Sequence, residues 1–206
     1  MKTVILANGS FPRQGGAARR LLESAGRIVA CDGAADRLWR RLRRRADFTV
    51  GDLDSLAGGA GAAGAGVVRI AEQETNDLAK AIGFCRRRGW RDLVIVGATG
   101  RREDHTLGNV FRAMEAGVEM VTDEGRFVPL KGRLALDVAV GTPVSVFTAD
   151  PRARMTSRGL VWPLDGVVFD RLYRATLNRA GASRVVITST APGYVFITEK
   201  PQGERS

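Results

Sequence analysis

Residues 93–116 read LVIVGATGRREDHTLGNVFRAMEA, a stretch that joins a strand to a helix through a glycine-bearing turn. Leu93 to Val96 form a short continuous run of apolar side chains, which is typical of a buried strand. The turn Gly97-Ala98-Thr99-Gly100 follows, and His105 to Ala116 has apolar residues at helical spacing. Strand, turn and helix in this order indicate one unit of a parallel α/β layer structure.

The same alternation extends over the first 123 residues. Further strands are predicted at residues 3–7, 27–31, 48–50, 67–70 and 119–122, and further helices at residues 17–24, 34–45 and 77–88. Residues 58–66 consist of glycine and alanine only, which predicts a flexible loop.

Beyond about Asp123 the helical period disappears. Short β-rich runs separated by turns take over, at residues 135–140, 143–148, 159–162, 184–190 and 194–198. This pattern is typical of a small β-sandwich or barrel. The sequence therefore predicts two domains: an α/β domain with a parallel sheet over residues 1–125, and a small β-sandwich over residues 126–206.

Composition places the chain among soluble globular proteins. Of its 206 residues, 44% are hydrophobic and 26% charged, and no apolar stretch approaches membrane-spanning length. The first apolar run is too short for a signal peptide, so we expect a cytoplasmic protein with no membrane partner. Cys31 and Cys85 show no metal-binding spacing and are expected to be reduced thiols.

A formal net charge of +10 suggests nucleic acid as a possible partner. Much of this charge lies in arginine runs within residues 37–45 and 86–88, beside Leu38, Leu42 and Phe84 at helical spacing. Such runs usually form the solvent-facing side of a helix, and no RNA- or DNA-binding motif accompanies them. Nucleic acid is therefore the less favoured partner, and a nucleotide- or RNA-binding module without enzyme activity stays the alternative.

Two carboxylates follow the strand predicted at residues 48–50. Asp52 and Asp54 flank Leu53, so in an extended segment they point the same way and repel each other. A cation bound between them would relieve the repulsion. A polar turn, which Gly51-Asp52 would suit, is the equally open alternative.

The segment before the helix predicted at residues 77–88 is also acidic and polar. Asn76 suits the N-cap and Asp77 the first turn, which ordinary helix capping explains. The same segment would serve a phosphate through Thr75, Asn76 and Lys80, with Asp77 on a metal ion. Both interpretations stay open on this segment alone.

The glycine-bearing turn of residues 97–100 suits close approach of an anion, or it simply connects two elements. It is not a Walker motif, because no Gly-Lys-Ser/Thr follows. The only histidine, His105, lies next to Asp104, where it either caps the helix or acts in acid–base chemistry.

Taken together, these segments resemble the thiamin pyrophosphokinase family. The similar segments are Ala30-Cys31-Asp32-Gly33-Ala34-Ala35-Asp36, Gly51-Asp52-Leu53-Asp54-Ser55, Gln73 to Lys80, Gly97 to Asn109 and Gly159-Leu160-Val161-Trp162-Pro163-Leu164. They extend over about Val4 to Asn178, nearly the whole chain.

The resemblance implies Mg²⁺-dependent transfer of pyrophosphate from ATP to the hydroxyl of thiamin, giving thiamin diphosphate and AMP. It implies an ATP- and Mg²⁺-binding catalytic domain over residues 1–125 and a thiamin-binding domain over residues 126–206. It also implies a homodimer with thiamin bound where the subunits meet.

The resemblance also assigns residues by position. The implied catalytic residues are Asp52, Asp54, Asp77 and Asp104, the first three as Mg²⁺ ligands and Asp104 near the thiamin hydroxyl. The implied ATP ligands are Asp32, Gln73, Asn76, Lys80 and Arg102. Asn178 and Trp162 are predicted near the acceptor pocket or supporting it, because an indole could stack on a flat heteroaromatic cation. Core packing of Trp162 is the equally open alternative.

Independently of the resemblance, carboxylates, a divalent cation, Lys80 and Arg102 supply the charge neutralisation that phosphoryl-type transfer needs. The resemblance places Asp104 near the hydroxyl, and an aspartate can accept a hydrogen bond at neutral pH, so Asp104 is preferred to His105 as the base. Two positions depart from the family pattern: Arg101 replaces a glycine, and Leu177 replaces a serine. Leu177 keeps open a pyrophosphokinase that acts on a different alcohol.

Overall fold

The computed structural model describes residues 1–52, 66–70 and 74–199. The chain divides into an N-terminal unit, Met1–Ala116 with Met120–Asp123, and a C-terminal unit, Gly117–Glu119 with the chain from Glu124 onward. In the described ranges no helix is long and apolar enough to cross a lipid bilayer.

The N-terminal unit contains a parallel sheet flanked by helices. Its strands are β1 (Thr3–Leu6), β2 (Arg27–Cys31), β3 (Phe48–Gly51), β4 (Gly66–Arg69) and β5 (Leu93–Val96). Its helices are α1 (Ala17–Glu23), α2 (Ala34–Leu42), α3 (Asp77–Arg87) and α4 (Glu103–Ala116). The strand order is β5-β1-β2-β3-β4 with every neighbouring pair parallel, and Ile5 of β1 pairs with Val29 of β2 and Ile95 of β5.

Helices cover both faces of this sheet, so its strands are apolar throughout rather than alternating. The even-numbered residues Val4, Leu6 and Ile28 pack with α1 and α2 in one buried cluster. Helix α3 packs against β1, β2 and β3 with its own buried apolar side chains. Because the strands are parallel, the residues that follow β1, β2, β3 and β5 meet at one edge of the sheet.

A short strand, β6 (Glu119–Val121), lies where the chain passes between the units. The strands that follow are β7 (Gly125–Leu130), β8 (Arg133–Asp137), β9 (Pro143–Phe147), β10 (Met155–Arg158), β11 (Ala175–Arg179), β12 (Arg184–Ser189) and β13 (Gly193–Thr198).

The C-terminal unit is a β-sandwich. One antiparallel sheet has the order β11-β9-β13-β7 and the other the order β10-β12-β8. Val146 and Val195 of the first sheet pack in one buried cluster with Leu136 and Ile187 of the second. The fold class predicted from the sequence is confirmed.

Several element predictions differ from the structure. Helix α2 ends at Leu42 instead of residue 45, because Arg43 adopts a left-handed conformation with φ 51° and caps the helix. Helix α4 begins at Glu103, two residues before the predicted start. The predicted loop at residues 58–66 lies outside the described residues except for Gly66, which begins β4.

In the C-terminal unit, residues 159–162 form no strand, and the β-pairing there is one isolated bridge between Leu160 and Ala180. Strands β7, β10 and β11 are not predicted from the sequence. The arginine run within residues 37–45 is not wholly solvent-facing either. Arg44 donates to the carbonyl oxygens of Leu22, Glu23 and Ala25, which satisfies the end of α1.

Candidate active site

A cavity of about 470 Å³ lies at the edge where the parallel strands end, and we call it the N-terminal cavity. Its volume is in the range of small-molecule sites. Its lining comes from the end of β2, from the segments after β1, β3 and β5, and from the beginnings of α3 and α4. The lining residues are Ala7, Asn8, Gly9, Cys31, Asp52, Thr75, Asn76, Asp77, Leu78, Lys80, Ala98, Arg101, Arg102, His105, Thr106 and Asn109.

Three carboxylates converge beside this cavity. Asp32 follows β2 and is buried, and its Oδ1 accepts a hydrogen bond from the backbone N–H of Gly33 at 2.8 Å. Asp52 follows β3, and Asp77 is the first residue of α3. Gly51 makes the convergence possible, because a Cβ there would lie 2.6 Å from the Cβ of Asp32 and 3.4 Å from Oδ1 of Asp77.

These carboxylates repel one another. Burial raises the pKa of Asp77, and the negative charges of Asp52 and Asp32 raise it further. Lys80, whose Nζ lies 3.8 Å from Oδ1 of Asp77, acts in the opposite direction and does not cancel the other effects. A divalent cation bound between Asp52 and Asp77 would attract both carboxylates and so offset this repulsion.

The residues present fit Mg²⁺, which proteins usually hold through one or two carboxylates while waters and substrate phosphates complete the shell. Asp52 and Asp77 provide two such oxygen donors at the cavity wall. Within residues 1–52, 66–70 and 74–199, no group of three or more His, Cys, Asp or Glu side chains is placed to hold a metal ion. The third predicted ligand, Asp54, and the predicted ATP ligand Gln73 lie outside the described residues.

A chain of amide side chains fixes the beginning of α3. Asn76 is the N-cap, as predicted, and its Oδ1 accepts from the backbone N–H of Ala79 at 2.9 Å. Its Nδ2 donates to Oδ1 of Asn109 at 3.1 Å, and Nδ2 of Asn109 donates to the carbonyl oxygen of Ala98 at 2.8 Å. The beginning of α3 is thereby bonded to α4, and α4 is bonded to the turn after β5.

Arg102 and Asp104 form an exposed bidentate ion pair at the start of α4. Nε and Nη2 of Arg102 lie 3.1 and 2.6 Å from Oδ1 and Oδ2 of Asp104. This hydrogen bonding lowers the pKa of Asp104. In the described part of the chain, Arg102 and His105 line the cavity and Asp104 does not.

The loop after β1 is bonded to the turn after β5. The backbone N–H groups of Gly9 and Ser10 donate to the carbonyl oxygens of Gly97 and Thr99, each at 2.7 Å. Gly9 has no room for a side chain, since a Cβ would lie 2.5 Å from the oxygen of Thr99. Much of the predicted turn at residues 97–100 therefore serves packing, while Ala98 faces the cavity.

Several polar residues of this region, among them Arg37, Asn8 and Asn109, are not among the site residues predicted from the sequence. Arg37 donates to Oδ1 of Asn8 and to the carbonyl oxygen of Gly9, and so supports the loop after β1. Asn8 and Asn109 line the cavity. The Asn8-Gly9 pair directly after a strand is a turn signal that could have identified this loop.

Asn178 belongs to the C-terminal unit, which has a cavity of its own of about 420 Å³, here called the C-terminal cavity. The Asn178 side chain is buried and bonds to the backbone of Trp162. Its Oδ1 accepts from the Trp162 N–H at 3.2 Å, and its Nδ2 donates to the Trp162 carbonyl oxygen at 2.6 Å. Asn178 therefore positions Trp162, which lines the same cavity together with Leu177.

Large apolar side chains are exposed around the C-terminal cavity. Leu177 is 87% exposed and has a φ of 63°, a backbone conformation that residues other than glycine seldom adopt. Trp162, Tyr173, Val161 and Val168 are exposed as well. A concentration of exposed apolar groups commonly marks an interaction surface.

Comparison with known proteins identifies the family. The family model described as "Thiamin pyrophosphokinase, catalytic domain" matches residues 18–122, and the one described as "Thiamin pyrophosphokinase, substrate-binding domain" matches residues 125–196. A search of curated protein sequences finds no match.

Solved structures share the fold at low sequence identity. A thiamin pyrophosphokinase from Geobacillus thermodenitrificans has 19% identity and a TM-score of 0.74, over 98% of this chain and 99% of that one. The enzyme from Bacillus subtilis has 16% identity and a TM-score of 0.72, over 96% and 98% of the two chains. That from Candida albicans has 14% identity and a TM-score of 0.73, over 96% and 88%. The two family models together span most of the sequence, and the chain belongs to the thiamin pyrophosphokinase family.

Proposed function

We propose that this protein transfers pyrophosphate from ATP to the hydroxyl of thiamin in a Mg²⁺-dependent reaction, giving thiamin diphosphate and AMP. The family is one of kinase-type transferases that use ATP as co-substrate. The observation that carries the proposal is the N-terminal cavity, where Asp52, Asp77, Lys80 and Arg102 converge at the carboxyl edge of the parallel sheet.

In this proposal the N-terminal unit binds the nucleotide and the metal. Mg²⁺, when bound, neutralises phosphate charge, and Asp52 and Asp77 would hold it together with Asp54. Lys80 and Arg102 would neutralise further phosphate charge, which is the main requirement of phosphoryl-type transfer. The proposed ATP ligands are Asp32, Gln73, Asn76, Lys80 and Arg102.

Asp104 is proposed to accept a hydrogen bond from the thiamin hydroxyl. Its ion pair with Arg102 lowers its pKa, so the carboxylate stays ionised and has little tendency to take up a proton. Its role is therefore to orient the hydroxyl. His105, which lines the cavity, is the candidate for receiving the proton.

The C-terminal unit is proposed to bind thiamin in a homodimer, with the acceptor pocket completed by a second subunit. The exposed apolar surface around the C-terminal cavity supports this, as does the exposed indole of Trp162. An indole that stacks on a cationic heteroaromatic ring contributes roughly 0.5 to 2 kcal/mol. Light scattering tests the dimer, and a stable monomer with full activity would contradict it.

Initial rates with ATP, Mg²⁺ and a panel of alcohols that includes thiamin test the proposal. Asp52→Asn should lower the rate by roughly a hundredfold or more, because it removes a strong electrostatic element of the site. The matched control is Asp92→Asn, an exposed aspartate at the opposite end of β5, which should be neutral. Equal rates for wild type and Asp52→Asn would contradict the proposal.

A second candidate function is pyrophosphate transfer to an alcohol other than thiamin. It is favoured by one observation, the exposed Leu177 beside the C-terminal cavity where the family pattern has serine. A higher rate with another alcohol of the panel than with thiamin would identify it.

A further inference from the structure

Arg101 lies in the wall of the N-terminal cavity, directly after Gly100, at a position where the family pattern has glycine. Within the described residues its one hydrogen bond runs from Nη1 to the carbonyl oxygen of Asn8, at 3.5 Å. That distance is at the long limit for such a bond. The guanidinium therefore keeps most of its five N–H donors available.

The other two cations of the cavity wall are already engaged with carboxylates. Lys80 is buried and lies 3.8 Å from Asp77, and Arg102 is held by Asp104 at 2.6 Å. In the ranges that the structure describes, Arg101 takes part in no ion pair. Among the described residues of this wall, its positive charge is thus the one that is not committed to a neighbouring carboxylate.

A second guanidinium lies close to Arg101. Arg37 is bonded to Asn8 and Gly9, the loop that Arg101 also touches, and its Nε is buried without a hydrogen-bond partner. Burial lowers the pKa of Arg37, and the charges of Arg101 and Arg40 lower it further. The two guanidinium groups contact the same loop, so the electrostatic potential beside it is positive. An anion bound in the cavity would reduce the repulsion between them.

We propose that Arg101 binds the phosphate chain of the nucleotide substrate, a contact that a glycine at this position could not make through a side chain. The proposal rests on the proposed function in one respect, that the N-terminal cavity receives ATP. A guanidinium suits this role because its planar donor pairs match phosphate oxygens. Arg101 is exposed at the wall, and within the ranges that the structure describes no carboxylate is paired with it, so the guanidinium can make that contact.

Equilibrium binding of ATP and of adenosine, both at constant MgCl₂ and without thiamin, tests the proposal. Arg101→Ala should weaken ATP binding by on the order of tenfold or more, because a hydrogen bond to a charged group is lost. Adenosine, which has no phosphate, should bind equally well to wild type and variant. Arg101→Lys should bind ATP with an affinity between those of wild type and Arg101→Ala, since lysine keeps the charge without the paired donors.

Arg91→Ala is the matched control, because it removes the same charge at the opposite end of β5 and should leave ATP binding unchanged. Arg101→Gly restores the family residue and serves as a second variant if Arg101→Ala does not fold. Unchanged ATP binding in either variant, or an equal loss of ATP and adenosine binding, would overturn the proposal.

The measurement separates this proposal from the proposed function. A wild type that binds ATP and forms no thiamin diphosphate would refute the function, while the comparison of ATP with adenosine would still decide the role of Arg101. A wild type that does not bind ATP would refute both.

Discussion

Replacing Asp77 with asparagine removes one charge from the converging carboxylates and keeps the shape of the side chain. Two effects oppose each other in the metal-free protein. The attraction to buried Lys80 at 3.8 Å amounts to about 4 kcal/mol at an effective dielectric constant near 20. Burial of Asp77 and the charges of Asp52 and Asp32 act against it and prevail, because the pKa of Asp77 is raised.

The sign of the stability change follows from this pKa. A carboxyl group whose pKa is higher in the folded than in the unfolded protein disfavours folding when it is ionised. Asparagine resembles the neutral carboxyl group, so it removes that unfavourable contribution. Asp77→Asn should therefore leave the metal-free protein at least as stable as wild type.

In the presence of Mg²⁺, wild type should be more stable than Asp77→Asn. A ligand at a hundred times its dissociation constant stabilises the folded state by about 2.7 kcal/mol. For a chain of this length that corresponds to a rise in Tm of roughly 5 to 11 °C. Wild type should show such a rise, and Asp77→Asn should lose most of it.

Thermal unfolding followed by circular dichroism, over a series of MgCl₂ concentrations with and without ATP, measures both effects. Asp92→Asn is the control for loss of an exposed aspartate charge. This prediction is wrong if Mg²⁺ raises the Tm of Asp77→Asn as much as that of wild type. A loss of several kcal/mol of stability in metal-free Asp77→Asn would also contradict it, since Asp77 would then act mainly as the partner of Lys80.

Three further predictions concern the C-terminal cavity and the thiols. Asn178→Ala should raise the KM for thiamin, because the backbone of Trp162 loses both bonds to the amide, and an unchanged KM would separate Asn178 from the acceptor site. Leu177→Ser should lower the KM for thiamin, and a higher or equal KM would show that Leu177 lies away from the acceptor. Burial raises the pKa of Cys85 to about 12 and that of Cys31 well above its usual range, so a thiol reagent at pH 8 should label neither until urea is added.

The α/β half of the fold could be predicted from the sequence because its periodicity is strong and local. The run Leu93–Val96 is buried on both faces, so its sequence carries no polar interruption and its limits are predicted correctly. The end of α2 could not be predicted, because it depends on a left-handed conformation at Arg43. Arginine has no intrinsic preference for that conformation.

The β half could be predicted as a class but not strand by strand. Gly159 to Trp162 has the apolar composition of a strand, yet Val161 and Trp162 are exposed and Gly159 has a φ of 82°. Strand β11 contains a register shift between Ala175 and Asn178, so its sequence does not alternate in polarity. Composition alone does not reveal either feature.

The candidate site, too, could be predicted from the sequence only in part. Asp52, Asp77 and Lys80 could be singled out because they lie at a strand end and a helix start, and the structure brings them to one cavity. The bond between Asn76 and Asn109 joins residues 33 positions apart, and only the folded chain reveals such a pairing. The site assignments themselves stay predictions until the variants are measured.

The central claim is that this chain moves a pyrophosphoryl group, rather than a single phosphoryl group, from ATP to thiamin. The most direct measurement is the mass spectrum of the products after incubation of the purified protein with ATP, Mg²⁺ and thiamin. We predict AMP and thiamin diphosphate in equal amounts, and no product when Mg²⁺ is withheld. ADP with thiamin monophosphate, or no phosphorylated thiamin at all, would contradict the claim.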